Sequence, residues 1–368
     1  MTYGEALNWL FLGILAGLMN LARTDGLLWL GITFVFVIIR HSSFLTPHSS
    51  LSNSQPSTLR EPQGIAFNLQ LITRYALLAL LGFLLIMSPW YARNFNLYGT
   101  LMSPGGSRVL WLGDYDQTFS YPPSALNLNS FLDLGLKKIV TDRISAFGIN
   151  LLSGFAAHGE IILFPFIILG VVYYRQDERV KLAGMAWLIL LFVMSFIFPF
   201  AGKRGAFFHA GAALQPMWWA LAPLGLESLL LEFKKNGFGS EKSRFIFRSM
   251  LVMVAVMLTV YVVNLRLFVL GWGEGEDKYP AVEQFLLENG IKPNDVVIVG
   301  NAPGYYISTG RPAISIPYGG ETAIRAVSSQ FKAYYVVLEN KNSNPNTKHA
   351  QFIYLGDVNG ARIYKIEP

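Results

Sequence analysis

The residues of this chain suited to chemistry are few and charged, and they stand at the edges of long apolar runs. Lys203-Arg204-Gly205-Ala206-Phe207-Phe208-His209 puts two cations and an imidazole on one short stretch between two apolar segments. An anion such as a pyrophosphate or a lipid phosphate would explain that clustering. Lys203 and Arg204 would hold it by charge, and His209 would orient it or donate a proton. The alternative is a solvated loop. Arg23 and Asp25 interrupt another apolar stretch. Ionised side chains at membrane depth are costly, so they pair or serve a site, and here the pair either turns a hairpin or takes part in chemistry. Arg93 follows Pro89-Trp90-Tyr91 at the end of a third apolar run. Its forked guanidinium can grip a phosphate bidentately, or it anchors the chain among lipid headgroups. Ser103-Pro104-Gly105-Gly106-Ser107-Arg108 offers backbone N–H groups to an anion, or is an ordinary turn. Val299-Gly300-Asn301-Ala302-Pro303-Gly304-Tyr305 follows a strand pattern, where α/β domains place ligand loops, but lacks GxGxxG spacing and reads as a plain turn.

These residues are positioned by an unusually apolar chain. Of its 368 residues 52% are hydrophobic and 14% charged, against about a quarter charged in soluble proteins. With no cysteine, disulfides, thiolate-bound zinc and thiol nucleophiles are excluded. No carboxylate cluster calls for a metal, and no cofactor is expected. The net charge of +6 is assigned to cytoplasmic loops of a membrane protein, not to nucleic-acid binding.

Apolar segments at Leu7–Ala22, Leu27–Ile39, Tyr75–Pro89, Ile161–Tyr174, Leu182–Phe200, Ala212–Leu231 and Met250–Leu270 predict about seven membrane-spanning helices over residues 1–270. The first two are each short for a span of about 20 residues, so they read as a hairpin or a broken helix. Pro89 is expected to end the third helix or tighten its last turn. Residues 41–67, rich in Ser, Pro and Asn, read as a loop, and 90–160 as a long polar extracytoplasmic loop. A cytoplasmic N-terminus puts Arg175, Arg179, Lys181, Lys234, Lys235, Lys242, Arg244 and Arg248 inside, as the positive-inside bias requires. The expected location is the plasma membrane, with 90–160 and everything after 270 outside. No internal repeat and no signal peptide is recognisable.

From Gly271 onward the pattern changes to a small α/β domain. A helix is expected at Tyr279–Asn289, from the stripe Val282, Phe285, Leu286 and Leu287. Strands are expected at Asp295–Gly300, Ala313–Ile316 and Ala333–Leu338, with a helix at Thr322–Gln330. Phe352–Leu355 and Ala361–Ile366 should close a hairpin about Asn359-Gly360, a strong turn dipeptide.

GILAGLMNLARTDGLLWL at 13–30, SPWYARNFNLYGTLMSPGG at 88–106, LWLGDYDQTFSY at 110–121 and KRGAFFHAGAALQP at 203–216, with the terminal α/β domain, resemble the polytopic GT-C glycosyltransferases. That superfamily includes the protein mannosyltransferases and the aminoarabinose transferases. The resemblance implies transfer of a sugar from a polyprenyl-phosphate carrier to an envelope acceptor on the outer membrane face. It also implies basic residues that hold the departing phosphate, a role Arg93, Lys203, Arg204 and His209 match by position and charge. In that superfamily an acidic residue in the first large external loop acts as base or orients the acceptor. Here the Arg23–Asp25 motif, normally well inside the chain, lies near Met1, so that loop is expected to be absent. The catalytic group is then unassigned, with Asp25, Asp114 and Asp116 the carboxylates left for the role. The chain is expected to be the C-terminal part of a larger or two-chain enzyme, inactive by itself and completed by an upstream-encoded chain carrying further helices. The other functional class is a non-catalytic membrane subunit whose outer domain binds a glycan or a partner protein. A transporter ranks below both, since its charges would lie near the midplane of repeated halves.

Overall fold

A computed structural model describes residues 3–41, 63–103, 106–236, 240–271, 277–339 and 352–367. The Ser/Pro/Asn-rich connection at 42–62 and residues 104 and 105 of the Gly-containing turn lie outside them. Two compact units form, one from Met1–Ser107 and Val140–Val252, the other from Arg108–Ile139 and Met253–Pro368. The sequence had suggested a boundary near residue 270.

The first unit is helical. Helix α1 is Tyr3–Ala22, a 3-10 turn covers Thr24–Gly26, α2 is Leu27–His41 and α3 is Gln63–Tyr98. Helices α1 and α3 approach closely because Gly13 faces the Ala79 carbonyl and Gly82 faces the Leu10 carbonyl, where any Cβ would overlap backbone. Small residues at such contacts let membrane helices gain van der Waals contact where lipid supplies no hydrophobic drive. Pro89 does not end α3, which runs on to Tyr98. Met87 is buried with Ala16, Leu30 and Phe83, and Tyr91 packs on the same cluster. This packing carries the helix past its missing hydrogen bond, as apolar helices with close neighbours allow.

Further along the chain, α4 is Leu128–Leu132, in the second unit, and α5 Leu136–Ser153 leads back into the first. There follow α6 Phe164–Tyr173, α7 Glu178–Phe192, α8 Pro199–Ala201, α9 Phe207–Ala212, α10 Gln215–Lys235 and α11 Glu241–Asn264, whose last turns belong to the second unit. Wide π-type turns follow α5 at Gly154–His158 and α7 at Val193–Ile197. Gly170 of α6 and Gly225 of α10 repeat the close-contact device, facing Leu221 and Phe166 respectively. The stretch 90–160, expected as a long polar loop, holds the end of α3, short 3-10 turns, α4 and α5. Interspersed Lys137, Lys138, Asp142 and Arg143 hide the helical period of α5 from a hydropathy reading.

Among the described residues five helices are long and apolar enough to cross a membrane: Gly4–Ala22, Thr24–His41, Leu69–Tyr98, Glu178–Ile197 and Glu241–Val269. Both arms of the first hairpin thus reach spanning length, because α1 begins several residues before its apolar core and the 3-10 turn Thr24–Gly26 runs straight into α2. Within α11 only Leu251 is buried, as expected of an apolar helix facing lipid. The segment at 161–174 yields only the 10-residue α6. Helix α10 has 21 residues but is diluted by Gln215, two prolines and Glu227.

The second unit is built on a five-stranded sheet. After α12 (Tyr279–Glu288) come β1 Val297–Val299, α13 Ala302–Thr309, β2 Ala313–Ser315, α14 Gly320–Phe331, β3 Tyr335–Leu338, β4 Phe352–Val358 and β5 Ala361–Ile366. The strand order is β2-β1-β3-β5-β4, with β1 parallel to β2 and β3, and β5 antiparallel to β3 and β4. Alternate residues of β1 serve opposite faces. Val297 and Val299 pack with Val282, Leu286 and Tyr305, while Ile298 packs with Ile324, Val327 and Leu338. Both faces are thus covered, which explains the unbroken apolar run DVVIVG. Asn359 and Gly360 both have positive φ (48° and 80°), as the two-residue hairpin requires. Residues 119–121 join this sheet unit: the Tyr318 N–H donates to the Phe119 carbonyl (2.9 Å) and the Tyr121 N–H to the Tyr318 carbonyl (3.3 Å).

Candidate functional site

The Arg-Thr-Asp-Gly sequence is a turn with a reason for each residue. The Arg23 N–H donates to the Met19 carbonyl at 2.9 Å, and the Gly26 N–H to the Arg23 carbonyl at 2.9 Å. Gly26 is pressed on the backbone of Met19 and Asn20, where a Cβ has no room. This closeness folds Asp25 back against the end of α1. Arg23 donates through Nε to both carboxylate oxygens of Asp25, at 3.1 and 3.3 Å. Asp25 is 12% exposed and Arg23 50%, so the carboxylate is sheltered while its cation faces outward.

A second broken stretch supplies the other wall. After α7, Phe198 leaves helical geometry (φ −117°, ψ 56°) and Pro199 opens α8. The chain kinks again at Arg204 and Gly205, and the Gly205 φ of 98° is one that glycine adopts without strain. Lys203 is held by Asp142 of α5, with Nζ to Oδ1 at 3.0 Å. Arg204 is exposed at the kink, and His209 is exposed with its ring against Phe208, centroids 4.9 Å apart. Met19, Ala22, Arg23, Asp25, Gly26, Trp29, His209 and Ala210 line a single cleft of about 130 Å³. Two motifs nearly 200 positions apart therefore share one site: Asp25 and Arg23 on one side, His209 on the other.

The segment bearing His209 rests on a buried polar node that sequence reasoning missed. The Trp187 indole N–H donates to His158 Nδ1 at 3.3 Å. Since indole nitrogen only donates, Nδ1 accepts, and Nε2–H donates to the Phe208 carbonyl at 3.0 Å. The His158 carbonyl accepts from Trp219 Nε1 (3.1 Å), and the Ala157 carbonyl from Gln215 Nε2 (3.0 Å). Gly211 faces the imidazole with no room for a Cβ. His158 thus acts as a neutral brace on the carbonyl of Phe208, the residue next to His209.

The other sequence candidates lie elsewhere. Arg93 is exposed near the end of α3, over the Trp90 ring at 4.9 Å, and donates to Asn94 Oδ1 at 3.3 Å. It does not line the cleft. Asp114 and Asp116 are exposed in the second unit, where Asp114 accepts from the Tyr115 N–H and Asp116 opens the turn Asp116–Phe119. Arg108 is bound to the Leu126 carbonyl at 2.7 Å. The stretch after β1, read as a plain turn, is instead a helix entry: Asn301 caps α13 through the Gly304 N–H at 3.2 Å. Pro303 fits the first turn of this helix, where its missing N–H costs nothing. Glu339 lies beside it, accepting from the Asn301 N–H (3.1 Å), the Tyr279 hydroxyl (3.0 Å) and Lys278 (2.8 Å).

Chemically the cleft offers a sheltered carboxylate, an imidazole and an outward-facing guanidinium. The Arg23–Asp25 pair is made through Nε, so the Nη groups are not part of it. Among the described residues no three His, Asp or Glu side chains converge as metal ligands would. Comparison with protein-family models, characterised proteins and solved structures returns no match, so the reading of the site rests on its own residues.

Proposed function

We propose that the chain is a membrane glycosyltransferase, or the C-terminal portion of one. It would move a sugar from a polyprenyl-phosphate-linked donor to an envelope acceptor on the outer membrane face. The observation that carries this reading is the convergence of Asp25, Arg23 and His209 on one cleft, where the turn joining two helices of membrane length meets the short helix α9. In the step envisaged, an acceptor hydroxyl gives its proton to Asp25 or His209 as its oxygen bonds the anomeric carbon. The bond from that carbon to the phosphate oxygen breaks, and the lipid phosphate leaves with the electron pair. Arg23 stabilises the departing charge, the electrostatic contribution such a step most needs. Arg204, on the same kinked segment as His209 but outside the cleft lining, adds to the positive field around it. Lys203, tied to Asp142, and Arg93, away from the cleft, serve the site's shape and lipid contact in this reading.

The proposed setting is the plasma membrane, with Arg175, Arg179, Lys181, Lys234 and Lys235 on the cytoplasmic side and the α/β unit outside. Its seven spans would be the five membrane-length helices plus the packed pair α6 and α10. One observation favours a second reading. At about 130 Å³ the cleft is smaller than the roughly 300–1,000 Å³ of most ligand pockets. A further membrane chain would then complete the site, or the chain would be a non-catalytic subunit that keeps a lipid contact.

Sugar transfer in membrane vesicles from a radiolabelled polyprenyl-phosphate donor tests the proposal. The chain is assayed alone and with the chain encoded upstream. Activity lost in Asp25→Asn and His209→Ala but kept in Asp114→Asn supports it. Activity in neither preparation favours the non-catalytic subunit.

A further inference from the structure

Helix α5 carries three faces at helical spacing. Ala146 and Asn150 are fully buried, and on the same side Asp142 meets Lys203 at 3.0 Å and Asn150 Nδ2 donates to Ser195 Oγ at 3.0 Å. In its first three turns Lys137, Lys138, Thr141 and Ser145 form an exposed polar face, with Lys138 Nζ donating to the Gly113 carbonyl at 3.3 Å. Beyond it Ile149 and Leu152 are exposed too, so the last turns are apolar more widely around. Between these runs Leu136, Val140, Ile144, Phe147 and Leu151, spaced by three and four residues, each 37–77% exposed. Residues so spaced share one side of a helix.

The contacts of α5 fix its depth relative to α7. Glu178–Ile197 contains 20 residues, about 30 Å at 1.5 Å per residue, equal to the hydrocarbon thickness of a bilayer. Ser195 lies within the last turn of that stretch and Lys203 beyond it, so α5 packs where α7 leaves the membrane. Helix α5 does not itself cross. Lys137, Lys138, Asp142 and Arg143 fall within its first eight residues, and each charge at the core would cost about 2.5–3.5 kcal/mol on insertion scales. An amphipathic helix at that level belongs in the interface plane, apolar side in the acyl boundary and cations among the headgroups.

We infer that α5 is an interfacial helix whose Leu136, Val140, Ile144, Phe147 and Leu151 side chains are seated in the lipid surface. Through Asp142–Lys203 and Asn150–Ser195 it fixes the height of the kinked segment that bears His209. The occupant of this face is the bilayer, because the helix is tied to the exit point of a membrane-length helix and its polar edge is basic. The inference rests on the reading of α7 as a span.

The chain has no cysteine, so single-cysteine variants of the full chain at 140, 141, 144, 145 and 147 can carry an environment-sensitive fluorophore cleanly. All are exposed positions, so the labels leave the Ala146–Asn150 face intact. Leu188, exposed on α7, is the control for the span. The protein is placed in phosphatidylcholine–phosphatidylglycerol vesicles with nitroxide lipids labelled near the headgroup or deep in the acyl chain. The inference expects strong loss of fluorescence at 140, 144 and 147 with the shallow nitroxide only, and little loss at 141 and 145. Depth increasing steadily along α5 would make it a span and overturn the inference. Loss at Leu188 but none at 144 would place the face against protein or water and also overturn it. No loss at Leu188 either would remove the membrane reading itself.

Discussion

Replacing Glu283 with alanine leaves a buried cation without its counter-ion, and the geometry sets the size of the effect. The Arg311 side chain is 1% exposed. It donates from Nε to both Glu283 oxygens (3.0 and 2.8 Å) and from Nη2 to Oε1 (2.6 Å). Its Nη1 reaches the carbonyls of Lys292 (2.5 Å) and Asp295 (3.0 Å), just before β1. Removing the carboxylate therefore spares two of the Arg311 bonds and loses three, together with the bond from the Tyr305 hydroxyl to Oε2 (2.9 Å), with the charge still buried. Breaking such a pair costs about 3–5 kcal/mol. At about 1.36 kcal/mol per decade, amide exchange that requires opening of the sheet should accelerate by about 150- to 5,000-fold. Hydrogen–deuterium exchange on the full chain in nanodiscs, followed in peptides covering 296–300 and 335–338, measures it. The double variant Glu283→Leu with Arg311→Met should recover most of the loss, since an apolar pair avoids the desolvation cost. Acceleration below tenfold in Glu283→Ala would refute the reasoning, because the pair would then behave like an exposed one.

Three further outcomes follow from other residues. Burial and the hydrogen bond to Glu283 push the Tyr305 hydroxyl above its ordinary value near 10. The raised value lends stability below pH 10 that is lost as pH rises past it, so alkaline unfolding of the sheet unit, followed by tyrosinate absorbance, should be shallower in Tyr305→Phe. Gly211→Ala forces a methyl into His158 and should destabilise by about 1–3 kcal/mol, as overpacking does. Altered Trp187 and Trp219 emission together with a lower Tm in nanodiscs would register it, and unchanged emission would contradict the brace role of His158. Asp177 caps α7 through the Arg179 N–H at 2.8 Å, and its bonds to Arg179 hold its pKa down at about 2. Its stabilisation is present above pH 3.8 and lost as pH falls through 2. Amide exchange at Arg179 and Val180 should rise in Asp177→Ala near neutral pH, and in the wild type only at strongly acid pH.

Hydropathy made the five helices of membrane length legible, though it also counted the segments of α6 and α10 as spans. β-Branched runs made β1 and β3 legible, and the Asn359-Gly360 dipeptide the hairpin, because burial and turn geometry leave a direct mark on residue type. Helix α5 escaped because its three faces differ in character and average to a polar run. Helix α13 escaped because it is only eight residues long and its start lacks GxGxxG spacing, although Pro303 suits a first turn. That residues 119–121 pair with Tyr318 depends on backbone hydrogen bonds between segments nearly 200 residues apart, which no local pattern records. At the site, Asp25, Arg23 and His209 were each noticeable as charges beside apolar runs. Their convergence was not, since it depends on how α1, α2 and α9 pack. His158 gave no signal beyond being one of five histidines, and only its neighbours Trp187 and Phe208 reveal its role.

The measurement that tests the central assignment most directly is photo-crosslinking with a short polyprenyl phosphate carrying a diazirine beside the phosphate, in nanodiscs, followed by peptide mapping. If the cleft holds the lipid phosphate, label appears in peptides spanning 19–29 and 207–214. Unlabelled polyprenyl phosphate displaces it, and Arg23→Gln together with His209→Ala removes it while leaving Tm unchanged. Label spread evenly over the lipid-facing helices, undiminished in the double variant, would contradict the assignment of this cleft.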